Sequence, residues 1–267
     1  MRPMPARLRR PKPPLAGAVA VVLAAVGAAG SGPARAWTPK TQVVIATQAA
    51  RLAPPDLYRQ IDRHRKRFQD GVMAPFEDAD ASRHFKDPDG AGNLDRVIAE
   101  EVERAIRAIE GLRPFEDVIF QLGVVSHYVA DAENPLNTSA ADLAEGRYFA
   151  DYARYLERAE PRLPVIFYGL RPGFDDEADP SSLVADIFHR SRSLYPLIGR
   201  EYRRIGFASG LDRFDDRSTA FGVASISFGH AVSDVGVMLR YVWLRAGGAD
   251  FRTGLPAQGA GEVRLPR

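Results

Sequence analysis

Cysteine is absent from all 267 residues of the sequence. Its absence excludes disulfide bonds, thiolate metal sites and cysteine nucleophiles. No segment alternates apolar and polar residues for long enough to predict a β-sheet. The sequence also lacks a Gly-x-Ser-x-Gly nucleophile motif, a P-loop and a dinucleotide-binding fingerprint. What is present is a chain with helical patterning and only five histidines.

The first 36 residues form a segment of their own. Basic residues come first, an unbroken run of small and apolar residues follows over Leu15–Ala29, and Ala34-Arg35-Ala36 provides a small-x-small cleavage site. This order predicts a signal peptide over residues 1–36, a mature chain that begins at Trp37, and export to the periplasm or the extracellular space. A retained membrane anchor is the alternative, although the apolar run is shorter than the roughly 20 residues that a spanning helix needs.

The basic character of the chain belongs to that segment. The whole chain has 36 basic and 34 acidic residues and a formal charge of +2. Residues 1–36 contain six basic residues and no acidic residue, so the rest of the chain has a formal charge of −4. We therefore do not expect nucleic acid as a partner.

Helical spacing of apolar residues dominates the rest of the chain. Between proline and glycine breakers, helices are predicted over residues 39–52, 55–70, 93–111, 115–132, 145–159, 181–205 and 215–245. Gly71 is expected to end the second of them. We predict an all-α fold, a multi-helix bundle with long loops, in one domain over residues 37–248 with no transmembrane helix. A flexible tail is predicted over residues 249–267, and the acidic segment at 175–179 is either a solvated loop or a calcium site.

The predicted helix over residues 115–132 is apolar on most sides, which is typical of a helix buried among others. His127 and Asp131 lie one turn apart on a face that points into the interior. A buried carboxylate is costly unless another group compensates its charge. A metal ion would do so, and a hydrogen bond between the two side chains is the alternative.

Two motifs contain these and related residues. The first is His84-Phe85-Lys86-Asp87-Pro88-Asp89, and the second is the segment 122–131 with Pro135 after it. Their order and spacing resemble the zinc-dependent phospholipase C family and its relatives, the fungal-type single-strand-specific zinc nucleases. The resemblance implies a helical bundle that holds three zinc ions. The ligands that it implies here are Trp37 (through its freed α-amine and its carbonyl), His84, His127 and Asp131, which would bridge two ions.

Several positions depart from the family pattern. The residues that stand where ligands are expected are Gln42, Phe76, Asn137, Phe149 and Ala153. An amide is a poor zinc ligand, and Phe and Ala have no side-chain donor. We therefore expect fewer than three zinc ions, with Glu77 or Asp78 supplying a carboxylate in place of Phe76.

Two functions follow from this pattern. The first is an exported, zinc-dependent phosphoester hydrolase of the phospholipase C type, with Asp131 and Glu77 or Asp78 as catalytic carboxylates. Its substrate would be a phospholipid or another phosphodiester. The second is a non-catalytic descendant that uses the helical bundle for binding or as a structural part.

Overall fold

The computed structural model describes residues 37–170, residue 174, residues 178–249 and the backbone of residues 263–264. The predicted signal peptide, positions 175–177 of the acidic segment and nearly all of the predicted tail lie outside the described residues. Everything below concerns the described part of the chain.

Helices make up nearly all of the regular structure. The α-helices are α1 (Pro39–Ala50), α2 (Pro55–Arg63), α3 (Arg65–Met73), α4 (Leu94–Glu110), α5 (Phe115–Ala132), α6 (Phe149–Ala159), α7 (Pro180–Arg204), α8 (Gly210–Arg213) and α9 (Thr219–Arg245). Single 3-10 turns cover Ala74–Glu77, Ala81–His84, Pro135–Asn137, Glu145–Arg147 and Glu160–Arg162. Two short strands, β1 (Ile166–Phe167) and β2 (Val263–Arg264), pair antiparallel with Ile166 opposite Arg264. The predicted all-α fold is confirmed.

The segment predicted as one helix over 55–70 is two helices. They are separated at His64, whose backbone dihedrals (φ −106°, ψ 32°) are not helical. The predicted end at Gly71 is wrong, because α3 continues through Gly71 to Met73. A Cβ atom on Gly71 would lie only 1.9 Å from the carbonyl oxygen of Phe120 in α5. Here glycine allows two helix backbones to approach closely and does not end a helix.

Helix α5 lies at the centre of the bundle and packs against α3, α4 and α9. Every residue from Gln121 to Ala132 is buried. The polar side chains of this stretch must therefore be compensated by protein groups or by a bound ion.

Helix α9 is long and apolar enough to cross a membrane by length and composition. However, 78% of its most apolar stretch is buried inside the protein. Burial of this kind is typical of the core helix of a folded domain.

Candidate metal centre

Two elements bring three buried side chains together. Helix α5 supplies His127 and Asp131, and the 3-10 turn Ala81–His84 supplies His84. Asp131 Oδ2 lies 2.7 Å from His84 Nδ1 and 3.2 Å from His127 Nε2. The two histidine nitrogens are 3.4 Å apart. In the described part of the chain, this is the group of His, Asp and Glu side chains that could hold a metal ion.

The orientation of His127 leaves one ring nitrogen for a metal. Its Nδ1 lies 2.8 Å from the carbonyl oxygen of Val72 in α3. A carbonyl only accepts, so Nδ1 carries the proton and donates. Nε2, the other ring nitrogen, faces Asp131 and is the atom that a metal ion could bind. Backbone carbonyls fix metal-binding histidines in this way.

The geometry of the cluster fits a zinc ion. In a tetrahedral site with zinc–ligand bonds near 2.0–2.1 Å, neighbouring ligand atoms lie about 3.3 Å apart. Two of the three separations in the cluster, 3.2 and 3.4 Å, match that value. The third, 2.7 Å, is a hydrogen-bond distance between Asp131 and His84. The three residues could therefore supply three ligands of one zinc site.

No protein-family model matches the chain, and no curated protein matches it in sequence. Among solved structures, the alpha-toxin of an avian Clostridium perfringens strain superimposes with a TM-score of 0.57 at 14% identity, over 83% of this chain and 67% of that chain. The alpha-toxin of Clostridium absonum gives 0.55 at 17% identity, over 80% of this chain and 65% of that one.

The chain has the helical fold of the clostridial alpha-toxins. It spans about two thirds of the length of those toxins. At this level of sequence identity the likeness concerns the fold alone.

Within this alpha-toxin fold, Asp131 is an ionised carboxylate. Burial acts to raise its pKa, but the charge and hydrogen bonds of His127 and His84 outweigh burial and lower the pKa to about 2. Gln42 on α1 adds a further hydrogen bond, because its Nε2 donates to Asp131 Oδ1 at 2.8 Å. Gln42 stands where the resemblance implies a histidine ligand. Its amide provides one of the hydrogen bonds that the buried carboxylate of Asp131 needs.

Trp37 lies beside the same cluster. Its side chain is buried, and its Nε1 donates to the carbonyl oxygen of Ala130 at 2.8 Å. The indole therefore fixes Trp37 next to the residue that precedes Asp131. Its predicted role as a ligand through a freed α-amine stays a prediction.

The two loop carboxylates lie outside the cluster. Asp78 Oδ2 pairs with Arg83 Nε at 2.5 Å, and Glu77 is exposed. The ring of Phe76 packs edge-on against His127, with the ring centres 4.8 Å apart. In this conformation an aromatic ring fills the space beside His127, and the predicted catalytic role of Glu77 or Asp78 stays a prediction.

A cavity of about 290 Å³ opens beside the cluster. Its lining combines apolar side chains with His84, Asp131 and Asn137. The Nε2 atom of His84 is buried and has no hydrogen-bond partner in the described structure. Asn137 Nδ2 donates to the backbone oxygen of Asp131 at 3.1 Å. Phe149 contributes an apolar wall of the cavity, and Ala153 is buried in the same helix.

Another residue of this cavity, Glu145, was not predicted from the sequence pattern. The pKa of Glu145 is raised to about 7, mainly because the carboxyl group is buried. The nearby carboxylates of Asp87 and Asp142 raise it further. Tyr195 donates a hydrogen bond to Glu145 and acts in the opposite direction. Glu145 lies in a 3-10 turn with no motif around it, and only the tertiary structure places it at the cavity.

A buried ion-pair network holds the turn that carries His84. Glu101 of α4 is buried and accepts hydrogen bonds from Arg83 at 3.0 Å and from Gln121 at 2.7 Å. Arg83 also donates to the hydroxyl of Tyr128. Burial raises the pKa of that hydroxyl to about 12, so it stays protonated. Arg83 precedes His84 and Tyr128 follows His127 in the sequence. The hydrogen bond between them therefore helps to hold the two histidine rings relative to Asp131.

Proposed function

We propose that this chain is an exported, zinc-dependent phosphoester hydrolase of the phospholipase C type that holds fewer than three ions. The observation that carries the proposal is the His84, His127 and Asp131 cluster. Its donor atoms lie close enough together to bind one ion, and two of the residues, His84 and Asp131, line a cavity. The resemblance of its motifs to the zinc-dependent phospholipase C family and the alpha-toxin fold support the same conclusion.

His84, His127 and Asp131 are the residues that would hold zinc. A zinc ion in such a site lowers the pKa of bound water to about 7 and polarises a phosphoryl oxygen. Around it, Val72 fixes the tautomer of His127, and Gln42 keeps Asp131 in place. Glu145 holds a proton near neutral pH at the cavity wall, which suits it to donate that proton to a leaving group.

A phospholipid or another phosphodiester is the proposed substrate. The cavity has apolar walls, which suit a ligand with apolar parts. The negative formal charge of residues 37–267 makes nucleic acid the less favourable phosphodiester. Export rests on the predicted signal peptide.

One observation favours the second candidate, a non-catalytic descendant of the same fold. The positions of three implied ligands now make ordinary protein contacts: Gln42 and Asn137 hydrogen-bond to Asp131, and Phe76 packs on His127. Such a protein would use the bundle for binding or as a structural part.

Metal content, thermal melting and hydrolysis of a phosphodiester together separate the two candidates. Zinc in the purified protein is measured by mass spectrometry, and melting is followed with and without a chelator. At a free zinc concentration about 100 times Kd, binding stabilises the fold by about 2.7 kcal/mol. At about 2–4 °C per kcal/mol for a domain of this size, the chelator should lower Tm by about 5–10 °C.

The variant His84→Ala, His127→Ala should melt identically with and without chelator. His189 is exposed on α7, so His189→Ala is the matched control and should respond as the wild type does. Bound zinc together with hydrolysis of a chromogenic phosphodiester supports the hydrolase. Zinc without turnover, or no zinc at all, supports the non-catalytic candidate.

A further inference from the structure

The turn between α4 and α5 contains a leucine in an unusual backbone conformation. Leu112 has φ of 51°, in the left-handed region. Its N–H donates to the carbonyl of Ile109 at 3.0 Å, and the N–H of Arg113 donates to that of Ala108 at 3.0 Å. These are the two hydrogen bonds of a Schellman motif, in which the left-handed residue is usually glycine. In this chain the glycine, Gly111, stands one position earlier, and a strained leucine occupies the left-handed position.

Burial does not compensate that strain. The side chain of Leu112 is 90% exposed. Phe207 is the comparable case, with φ of 58°, but its ring is half-buried and the guanidinium group of Arg147 lies 3.6 Å from its centre. Phe115, at the start of α5, is itself 39% exposed beside the turn. A strained backbone that presents an apolar side chain to solvent is a feature that indicates a binding role.

An arginine-lined groove adjoins the turn. It has a volume of about 570 Å³, and Gly111 and Arg113, the neighbours of Leu112, form part of its lining. The other cationic residues of the groove are Arg67, Arg104 and Arg107. Asp117 is its one acidic lining residue.

The arginines of this groove differ in how strongly they are already paired. Arg67 reaches Asp70 and Asp117 only at 3.9 Å each, beyond hydrogen-bond distance, and lies over the ring of Phe120. Arg113 has no ion pair in the described structure. Arg107 pairs with Glu103 at 3.0 Å, where both side chains are exposed, so this pair contributes little to stability. Arg104 is held by the buried Glu101. An anion entering the groove would therefore meet guanidinium groups with free or weakly engaged donors.

We propose that the α4–α5 turn and the adjoining arginine groove form a membrane-contact surface for anionic phospholipid. Leu112 enters the apolar boundary of the bilayer, and the arginines bind lipid phosphates at its rim. An apolar side chain beside an arginine-lined groove matches the layered chemistry of a bilayer surface. Guanidinium groups bind phosphate in a bidentate manner, and a negatively charged leaflet attracts them.

The turn of this surface lies apart from the metal centre, and the groove extends towards that centre as far as Gln121. The turn lies at the N-terminal end of α5, whereas His127 is 12 residues further along, about 18 Å at 1.5 Å per residue. The inference does not depend on the proposed hydrolase activity, because binding to vesicles can be measured with no substrate turnover.

The test is co-sedimentation with vesicles of zwitterionic phospholipid, with and without added anionic phospholipid. All variants share one N-terminus, checked by intact mass. We expect binding to the anionic vesicles that weakens as salt is added. Leu112→Asn should lower the partition coefficient about tenfold or more, because the side chain no longer buries apolar area. It should leave Tm unchanged or raised, since asparagine tolerates the left-handed conformation.

Leu143 is the matched control for Leu112. It is also fully exposed, but it lies in the segment between Ala140 and Glu145, which line the cavity beside the metal centre. Leu143→Asn should bind vesicles as the wild type does. If Leu143→Asn lost binding to vesicles and Leu112→Asn retained it, the contact would lie at the cavity and the proposal would be overturned. Equal binding of the wild type to neutral and anionic vesicles would also overturn it.

Charge is tested by a second pair of variants. Arg107→Gln, Arg113→Gln should weaken binding at low salt about fivefold for each arginine removed. Arg154→Gln, Arg158→Gln removes the same charge from exposed positions on α6 and should have a smaller effect. Equal losses in both double variants would mean that only net charge matters, which would refute a defined surface.

Discussion

Replacing Gly71 with alanine should push α3 away from α5 at the metal centre. The added Cβ would stand 1.9 Å from the oxygen of Phe120, 2.8 Å from its carbonyl carbon and 3.1 Å from the Cα atom of Gly123. All three are backbone atoms, so no side-chain rotation can relieve the clash. Carbon–oxygen contacts need about 3.3 Å, so the helices must separate by about 1.4 Å.

The same displacement reaches His127. Val72 follows Gly71, and its carbonyl oxygen accepts the hydrogen bond from His127 Nδ1 at 2.8 Å. Overpacking costs about 1–3 kcal/mol, and a buried donor left without a partner costs about 1–3 kcal/mol more. The total of about 2–6 kcal/mol should lower Tm by about 5–20 °C. Loss of the fixed tautomer should weaken zinc binding about 10–100-fold.

Denaturant and thermal unfolding measure the stability loss, and competition with a chromogenic chelator measures zinc affinity. Gly222 of α9 is the matched control, because a Cβ there would meet nothing within 4 Å. Gly222→Ala should raise stability by about 0.4–1 kcal/mol. If Gly71→Ala melts as the wild type does, the close helix crossing is wrong, and with it our account of how His127 is oriented.

Three further outcomes are expected. Because burial raises the pKa of Glu145 to about 7 from the ordinary 4.5, the folded state keeps a proton that the unfolded chain releases. Wild-type stability should therefore fall as pH rises from 4.5 through 7. Glu145→Gln should fall less, and melting curves across this range would refute the assignment if the two proteins ran in parallel. The single variant Asn137→His should bind no additional zinc. The triple variant Asn137→His, Phe149→His, Ala153→Glu should bind one more ion than the wild type. An unchanged metal content in the triple variant would count against our placement of the lost site. Intact mass of the exported protein should correspond to a chain that begins at Trp37, and any other start would remove its α-amine as a ligand.

Local sequence predicted a substantial part of the molecule. Proline and glycine marked most helix ends within a few residues, because these residues act on the backbone where they stand. His127 and Asp131 could be placed together since one turn of one helix joins them. Their partner His84 came from the resemblance of its motif, because nothing local joins the 3-10 turn Ala81–His84 to α5.

What depended on distant packing could not be predicted. Gly71 looked like a helix end, since the reason for glycine there is the backbone of Phe120, about fifty residues further along the chain. Glu145 has an ordinary acidic side chain whose pKa changes only because other elements bury it. The strain at Leu112 depends on a backbone dihedral that no composition or periodicity encodes.

The hydrogen bonds around Asp131 have a consequence for how the protein is made. Gln42 and His84 supply the buried carboxylate with hydrogen-bond donors that belong to the chain itself. Folding therefore does not have to wait for an ion, and the newly made domain can mature in a compartment poor in zinc. Metal supply would then determine what fraction of the molecules is loaded, while the amount of folded protein follows synthesis. If the cluster binds zinc as proposed, a cell starved of zinc should accumulate intact protein that becomes loaded when the metal returns.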